Sequence, residues 1–188
     1  MPHGLTLRDA HDTDLPAIQA IYAHHVLYGT ASFELEPPSV EQMRQRFADI
    51  RDHGLPYLVA ERDGQVLGYA YTTLYRPRPA YRFTVEDSIY IQQGSAGLGI
   101  GSALLQALIE RCTRDGRRQM VAIIGNSENL ASIRLHQRLG FRQVGVFESV
   151  GFKHGRWLDT VIMQRELGPG AGSAPDDQAV HTPPDGGR

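Results

Sequence analysis

The chain has 188 residues, 41% of them hydrophobic and 21% charged, and a formal net charge of -2. That length suits one domain with a substantial core, and that charge gives no reason to expect nucleic acid or an anionic membrane as a partner. A lone cysteine, Cys112, excludes an intramolecular disulfide, no Cys/His spacing suggests a metal site, and no run approaches the ~20 apolar residues of a membrane span, so a cytoplasmic protein without metal is expected.

In chain order, "LTLRDA" from Leu5 alternates as an opening strand. A helix follows with Thr13 as its predicted N-cap and Leu15, Ile18, Ile21, Tyr22 and Val26 on one face. Ser39 and Gln42 form a capping box for a second helix that turns Met43, Phe47 and Ile50 inward and closes at Gly54. "YLVAERDGQVLGYAYTTLY" reads as a hairpin, because Asp63-Gly64 suits the positive φ angles of a type I′ turn. In "FTVEDSIYIQ", Phe83, Val85, Ile89 and Ile91 alternate with Thr84, Glu86, Ser88 and Tyr90. A glycine-rich loop then leads into a helix from about Gly99 to Thr113. "QMVAII" is a fully apolar central strand, and Asn126 or Ser127 caps a helix that Gly140 ends. Two late strands, about Arg142–Gly151 and Arg156–Gln164, meet at a turn around His154-Gly155. Strand-helix-strand connections require a parallel pair and hairpins require antiparallel ones, so the sheet is mixed. From Gly168 the chain is rich in Gly, Pro and Asp, and residues 168–188 are expected to be a disordered tail behind one domain of residues 1–167.

The loop "GSAGLGIGS" sets glycines between a strand and a helix start, where free N–H groups and the helix dipole form an anion cradle. Phosphate is the natural occupant, held by amides, since no lysine lies between Gln92 and Gly101. A nucleotide-hydrolysing P-loop would need Gly-Lys-Ser/Thr where the chain has Ile100, Gly101 and Ser102. The Gly-x-Gly-x-x-Gly pattern of dinucleotide-binding folds fails at Ser102 or Leu104.

With the ordered segments "TASFELEPPS", "LPYLVAERDG", "AYRFTVEDSIYI", "GLGIGSALL", "GNSENLASIRLHQRLGF" and "GFKHGRW", the chain resembles the GNAT superfamily of N-acetyltransferases. Within it, the chain is similar to the phosphinothricin and methionine-sulfoximine acetyltransferases from Leu5 to Leu167. The resemblance implies the GNAT fold, an α/β (α+β) architecture. Its central mixed, mostly antiparallel sheet has about seven strands, splays at its middle and carries helices on both faces. It also implies acetyl-CoA as co-substrate. Pyrophosphate would lie on Gly97, Leu98, Gly99, Ile100, Gly101 and Ser102, and the pantetheine arm along Ile89, Tyr90 and Ile91, with Asn129 and Ser132 beside it. The loop departs from the superfamily pattern at Ala96, where glutamine or arginine is usual, so one side-chain contact is absent.

Acetyl transfer from a thioester needs a base for the attacking ammonium and a proton for the leaving thiolate. Glu86 is the candidate base, its plain alternative being an exposed or ion-paired glutamate; His136, on the helix face of Asn129 and Ser132, is the candidate acid or else structural. Arg76 and Arg78, in "LYRPRPAYR" with Arg82, suit an acidic group on the acceptor, their plain alternative being a solvated basic loop, and Phe33 is placed by resemblance on the acceptor side. The implied reaction is N-acetylation of a small amino acid or analogue, with phosphinothricin, methionine sulfoximine and methionine sulfone as leading acceptors, by a homodimer. Acetylation of a protein or peptide, or acyl-CoA sensing without catalysis, are the competing readings. Cys112 is expected to be inert.

Overall fold

The computed structural model describes residues 4–176. The chain begins with β1 (Thr6–Asp9), passes through α1 (Leu15–Tyr28) and α2 (Val40–Asp52), and forms the hairpin β2 (Tyr57–Arg62) and β3 (Gln65–Leu74). After β4 (Thr84–Ile91) come α3 (Ile100–Arg114), β5 (Gln119–Gly125), α4 (Leu130–Arg138) and a closing hairpin, β6 (Arg142–Lys153) and β7 (Arg156–Glu166). The strands make one seven-stranded sheet in the order β1-β2-β3-β4-β5-β7-β6. Its one parallel pairing among the described residues is β4 with β5, which the α3 crossover separates. The tight turns follow from residues that accept positive φ: Asp63 at 51° with Gly64 at 78°, and His154 at 51° with Gly155 at 74°.

Strand alternation distributes the helices. Tyr57, Tyr71 and Ser88 stand in line across β2, β3 and β4, and on their face Phe47 of α2 meets Tyr57 at 5.0 Å and Tyr22 of α1 meets Tyr90 at 4.9 Å. Thr72 points the other way and meets Cys112 of α3 at 3.8 Å. The five apolar positions read on α1 and the three on α2 are all buried. Cys112 is completely buried, and burial pushes its thiol up to about 12, so it stays protonated.

The capping box of α2 forms as read: Ser39 N–H donates to Gln42 Oε1 at 2.7 Å and Gln42 N–H to Ser39 Oγ at 3.2 Å. Two other caps differ from expectation. The N-cap of α1 is Asp14, after a short 3-10 turn, because the Asp14 carboxylate bridges Arg8 at 2.7 Å and the His11 N–H at 2.8 Å, and Thr13 makes no cap. The N-cap of α4 is Asn129, whose Oδ1 accepts the Ser132 N–H at 3.3 Å, while Asn126 takes a positive φ of 69° ahead of it. The start of the expected tail lies against the domain: Arg118 donates to the carbonyls of Gly170 at 3.3 Å and Ala174 at 3.2 Å, after a fully buried Leu167. Residues 177–188 of that tail lie outside the described residues. No helix among the described residues is long and apolar enough to cross a membrane.

Candidate active site

The parallel pairing of β4 with β5 is short, running from Thr84 opposite Gln119 to Asp87 opposite Ala122. Beyond it β4 continues with β3 alone, while Ile123–Gly125 of β5 continue with β7, so the two central strands diverge. Between them opens a cleft of about 520 Å³ lined by the end of β4, the glycine loop, the outer half of β5 and α4. Gln92 N–H donates to Leu67 O at 2.9 Å. By ladder alternation Tyr90 therefore gives its backbone to β3, and Ile89 and Ile91 turn theirs to the cleft. The Tyr90 ring lies on the opposite face, 5.4 Å from Tyr69. His25, which the sequence did not mark, binds the Ile91 carbonyl at 2.8 Å. Since a carbonyl only accepts, His25 Nε2 carries the hydrogen, and burial lowers its pKa and favours that neutral ring.

The loop has the geometry of a backbone cradle. Gly94, Gly97 and Gly99 take φ of 83°, 80° and 77°, and Gly99 is the N-cap of α3 without a side-chain cap bond. The first helical bond of α3 runs from Ala103 N–H to Gly99 O at 3.0 Å, which leaves the amides of Ile100, Gly101 and Ser102 free within the helix. A Cβ on Gly101 would stand 3.3 Å from Leu135, so this glycine lets α4 lie close. Gly97, Gly99, Ile100, Gly101 and Ser102 line the cleft with Ile89, Tyr90, Ile91, Asn129 and Ser132, whereas Leu98 is 45% exposed and stands outside it. Helix-start amides at a helix dipole, beside a strand edge where Ile89 turns its peptide groups and Ile91 its N–H to the cleft, fit a diphosphate joined to an amide-bearing arm.

His136 also lines the cleft, and both its nitrogens are engaged. Nδ1 lies 2.8 Å from the Ser132 carbonyl and Nε2 lies 3.0 Å from Asp87 Oδ2, with both side chains almost fully buried. The carbonyl fixes the hydrogen on Nδ1, so Nε2 faces the Asp87 carboxylate, to which it donates when the imidazole is charged. Burial works to lower the His136 pKa, but the Asp87 hydrogen bond and charge outweigh it, and the net shift is upward. Asp87 was missed in the sequence, although a carboxylate in the register of Val85 and Ile89 was a visible signal.

Glu86 points to the opposite face from Asp87, half-buried and across from Thr73 on β3. Burial, then the neighbouring Asp87, raise its pKa above the usual carboxylate range, while Arg76 acts to lower it. The structure thus brings Arg76 within electrostatic reach of Glu86, with its guanidinium over the Tyr75 ring at 5.1 Å. Arg78 is exposed on the following loop. Phe33 belongs to a loop strapped across the outer end of β5. Lys153 Nζ donates to Ser32 O at 2.6 Å, His154 binds Gly29 O at 3.2 Å, and Tyr22 donates to Glu34 at 2.8 Å. A Cβ on Gly125 would come within 3.0 Å of the Phe33 ring, and one on Gly151 would collide with it.

Residues 18–141 match the acetyltransferase (GNAT) family. The chain is 58% identical over 171 residues to a phosphinothricin N-acetyltransferase of Alcaligenes faecalis, covering 91% of this chain and 87% of that one. It is 45% identical over 165 residues to an L-methionine sulfoximine/L-methionine sulfone acetyltransferase of Pseudomonas aeruginosa, covering 87% and 95%. Its fold superposes with a TM-score of 0.90, at 50% identity and over 93% of this chain and 94% of the other, on a GNAT superfamily phosphinothricin acetyltransferase from Sinorhizobium meliloti in complex with acetyl-CoA. The splayed sheet, the amide cradle and these relatives agree: the chain belongs to the acetyltransferase (GNAT) family and is an acetyl-CoA-dependent N-acetyltransferase.

Proposed function

We propose that the chain acetylates the α-amino group of a small amino acid or analogue, with methionine sulfoximine, methionine sulfone and phosphinothricin as the leading acceptors and Glu86 as general base. The observation that carries the reading is the position of Glu86, one residue before β4 and β5 part, with its pKa raised by burial. A carboxylate tuned upward is a better base for an ammonium near neutral pH. Acetyl-CoA supplies a thioester acetyl group when bound. The amides of Gly97 and Gly99–Ser102 hold its diphosphate, and the edge of Ile89 and Ile91 orients its arm. Arg76 and Arg78 receive the acceptor's carboxylate, and Phe33 covers that end of the cleft. His136, held on both sides by Ser132 and Asp87, has no free N–H for the leaving thiolate and instead fixes this wall of the cleft, so the thiolate takes its proton from solvent.

The test is thiol release from acetyl-CoA against a panel of amino acids containing the three named acceptors. Release confined to small α-amino acids is the expected outcome, and Glu86→Gln should lower kcat by about 10²–10⁴-fold while acetyl-CoA still binds by calorimetry. Silence across the panel with coenzyme bound would point to a macromolecular acceptor or a sensor. We further propose a cytoplasmic homodimer. The edge strand β6 supports it by exposing Val146, Phe147, Val150 and Phe152, beside Trp157 at 64% exposure.

A further inference from the structure

The face of the sheet that carries Glu86 has a second cavity, of about 230 Å³, distinct from the coenzyme cleft. Tyr22 of α1, Met43 and Ile50 of α2, Tyr57 of β2, and Tyr71 and Thr73 of β3 form most of its wall. Strand register ties it to the proposed base. Thr73 stands opposite Glu86, Tyr71 opposite Ser88, and Tyr57 opposite Tyr71. Directly opposed residues share a face with Cβ atoms about 4.5–5.5 Å apart, so the cavity begins one side chain from Glu86 and extends beneath α2.

Its chemistry is aromatic and aliphatic with one unanswered donor. Tyr69 also contributes to the wall, stacked 5.8 Å from Tyr57 and 6.2 Å from Tyr71, and its hydroxyl is buried without a hydrogen-bond partner. Native structures leave few such groups unmade, and this one stands beside open volume. The cavity's charged groups give an anion no welcome. Arg46 at the margin is paired with Glu34 at 2.7 Å, and Asp49 adds a negative charge there. An anionic tip entering here would lose water without gaining a free cation.

We propose that this cavity receives the acceptor's side chain and selects an aliphatic stem with an uncharged, hydrogen-bond-accepting end, a sulfone or sulfoximine, over an anionic phosphinate. The proposal rests on Glu86 acting as the base. With the amine at Glu86 and the carboxylate towards Arg76, the third substituent of the α-carbon is directed past Thr73, and the Tyr69 hydroxyl meets its tip after a small shift of the stacked rings.

The experiment measures kcat/KM for methionine sulfone, norleucine and phosphinothricin with wild type, Tyr69→Phe and Thr73→Leu, alongside calorimetric binding of methionine sulfone in the presence of coenzyme A. Wild type should favour the sulfone over both others by about tenfold or more. Tyr69→Phe removes a hydroxyl that holds nothing in the free protein. It should leave the melting temperature unchanged or higher, yet erase most of the sulfone's advantage over norleucine. Thr73→Leu should raise KM for methionine sulfone and leave KM for alanine unchanged. Equal effects of both variants on every acceptor, or a preference for phosphinothricin, would overturn the proposal while leaving the enzyme assignment intact. If no acceptor releases thiol, sulfone binding that Thr73→Leu abolishes keeps the cavity and removes the reaction. Absence of binding removes both.

Discussion

His136 and Asp87 show how a buried carboxylate can hold the proton of an imidazole. The Ser132 carbonyl holds the Nδ1 hydrogen, and Asp87 draws the second proton towards Nε2 strongly enough to outweigh burial. A histidine whose pKa is raised on folding stabilises the native state fully below its unfolded value near 6.5, and that contribution is lost as pH rises through the higher folded value. The denaturant midpoint of wild type should therefore fall as pH is raised above about 6.5. Asp87→Asn should be less stable at pH 6 and flatter across the same interval. A slope unchanged in the variant would show that other groups set it. The sequence marked His136, and Asp87 could have been marked as well, because a charge at a core register demands a partner. His25 and Lys153 carried no such signal, since their partners are backbone carbonyls 66 and 121 residues away.

At the scale of elements, local chemistry was readable wherever a segment satisfies itself. The Ser39 and Gln42 box, the Asp63-Gly64 turn and the Gly140 helix stop each depend on residues within a few positions. The caps of α1 and α4 were misread because partners outside the helix fix the side chains at those turns: Arg8 holds Asp14 in place, and Asp159 takes the Ser127 hydroxyl. Gly68 on β3 is a position where an element's packing reaches the site. An added Cβ would stand 2.8 Å from Ile91 Cδ1, 3.1 Å from Tyr90 O and 3.3 Å from Ile100 Cγ2. Gly68→Ala should cost about 1–3 kcal/mol of stability, with a fall in Tm of about 2–4 °C for each kcal/mol. Because Ile91 and Ile100 line the cleft, it should also raise KM for acetyl-CoA more than it lowers kcat. Thermal melts and steady-state kinetics on the one variant check both statements.

For the whole molecule, the sheet order leaves β1 and β6 as its edges, and they differ in kind. β1 is four residues long, whereas β6 is twelve residues long and carries Phe147 and Phe152 more than half exposed. A long apolar edge is a pairing surface unless it is covered. Sedimentation equilibrium should give two copies per particle for wild type and one for a Val150→Glu, Phe152→Glu double variant. A monomeric wild type would remove the proposed homodimer and leave the chemistry within one chain untouched.

The sequence by itself determined the order of strands and helices, the mixed sheet, the amide cradle and the place of Glu86 on its strand. These depend on side-chain period, glycine conformation and helix polarity, all of which act over a few residues. Only the tertiary structure decided where β4 leaves β5, which of Ile89, Tyr90 and Ile91 offers its backbone to the cleft, and that Asp87 holds His136. It also decided that tyrosines from three elements enclose a cavity beside Glu86. The physical reason is register: a strand's sequence tells which residues share a face, but which neighbour stands opposite, and where pairing stops, is fixed when distant segments pack.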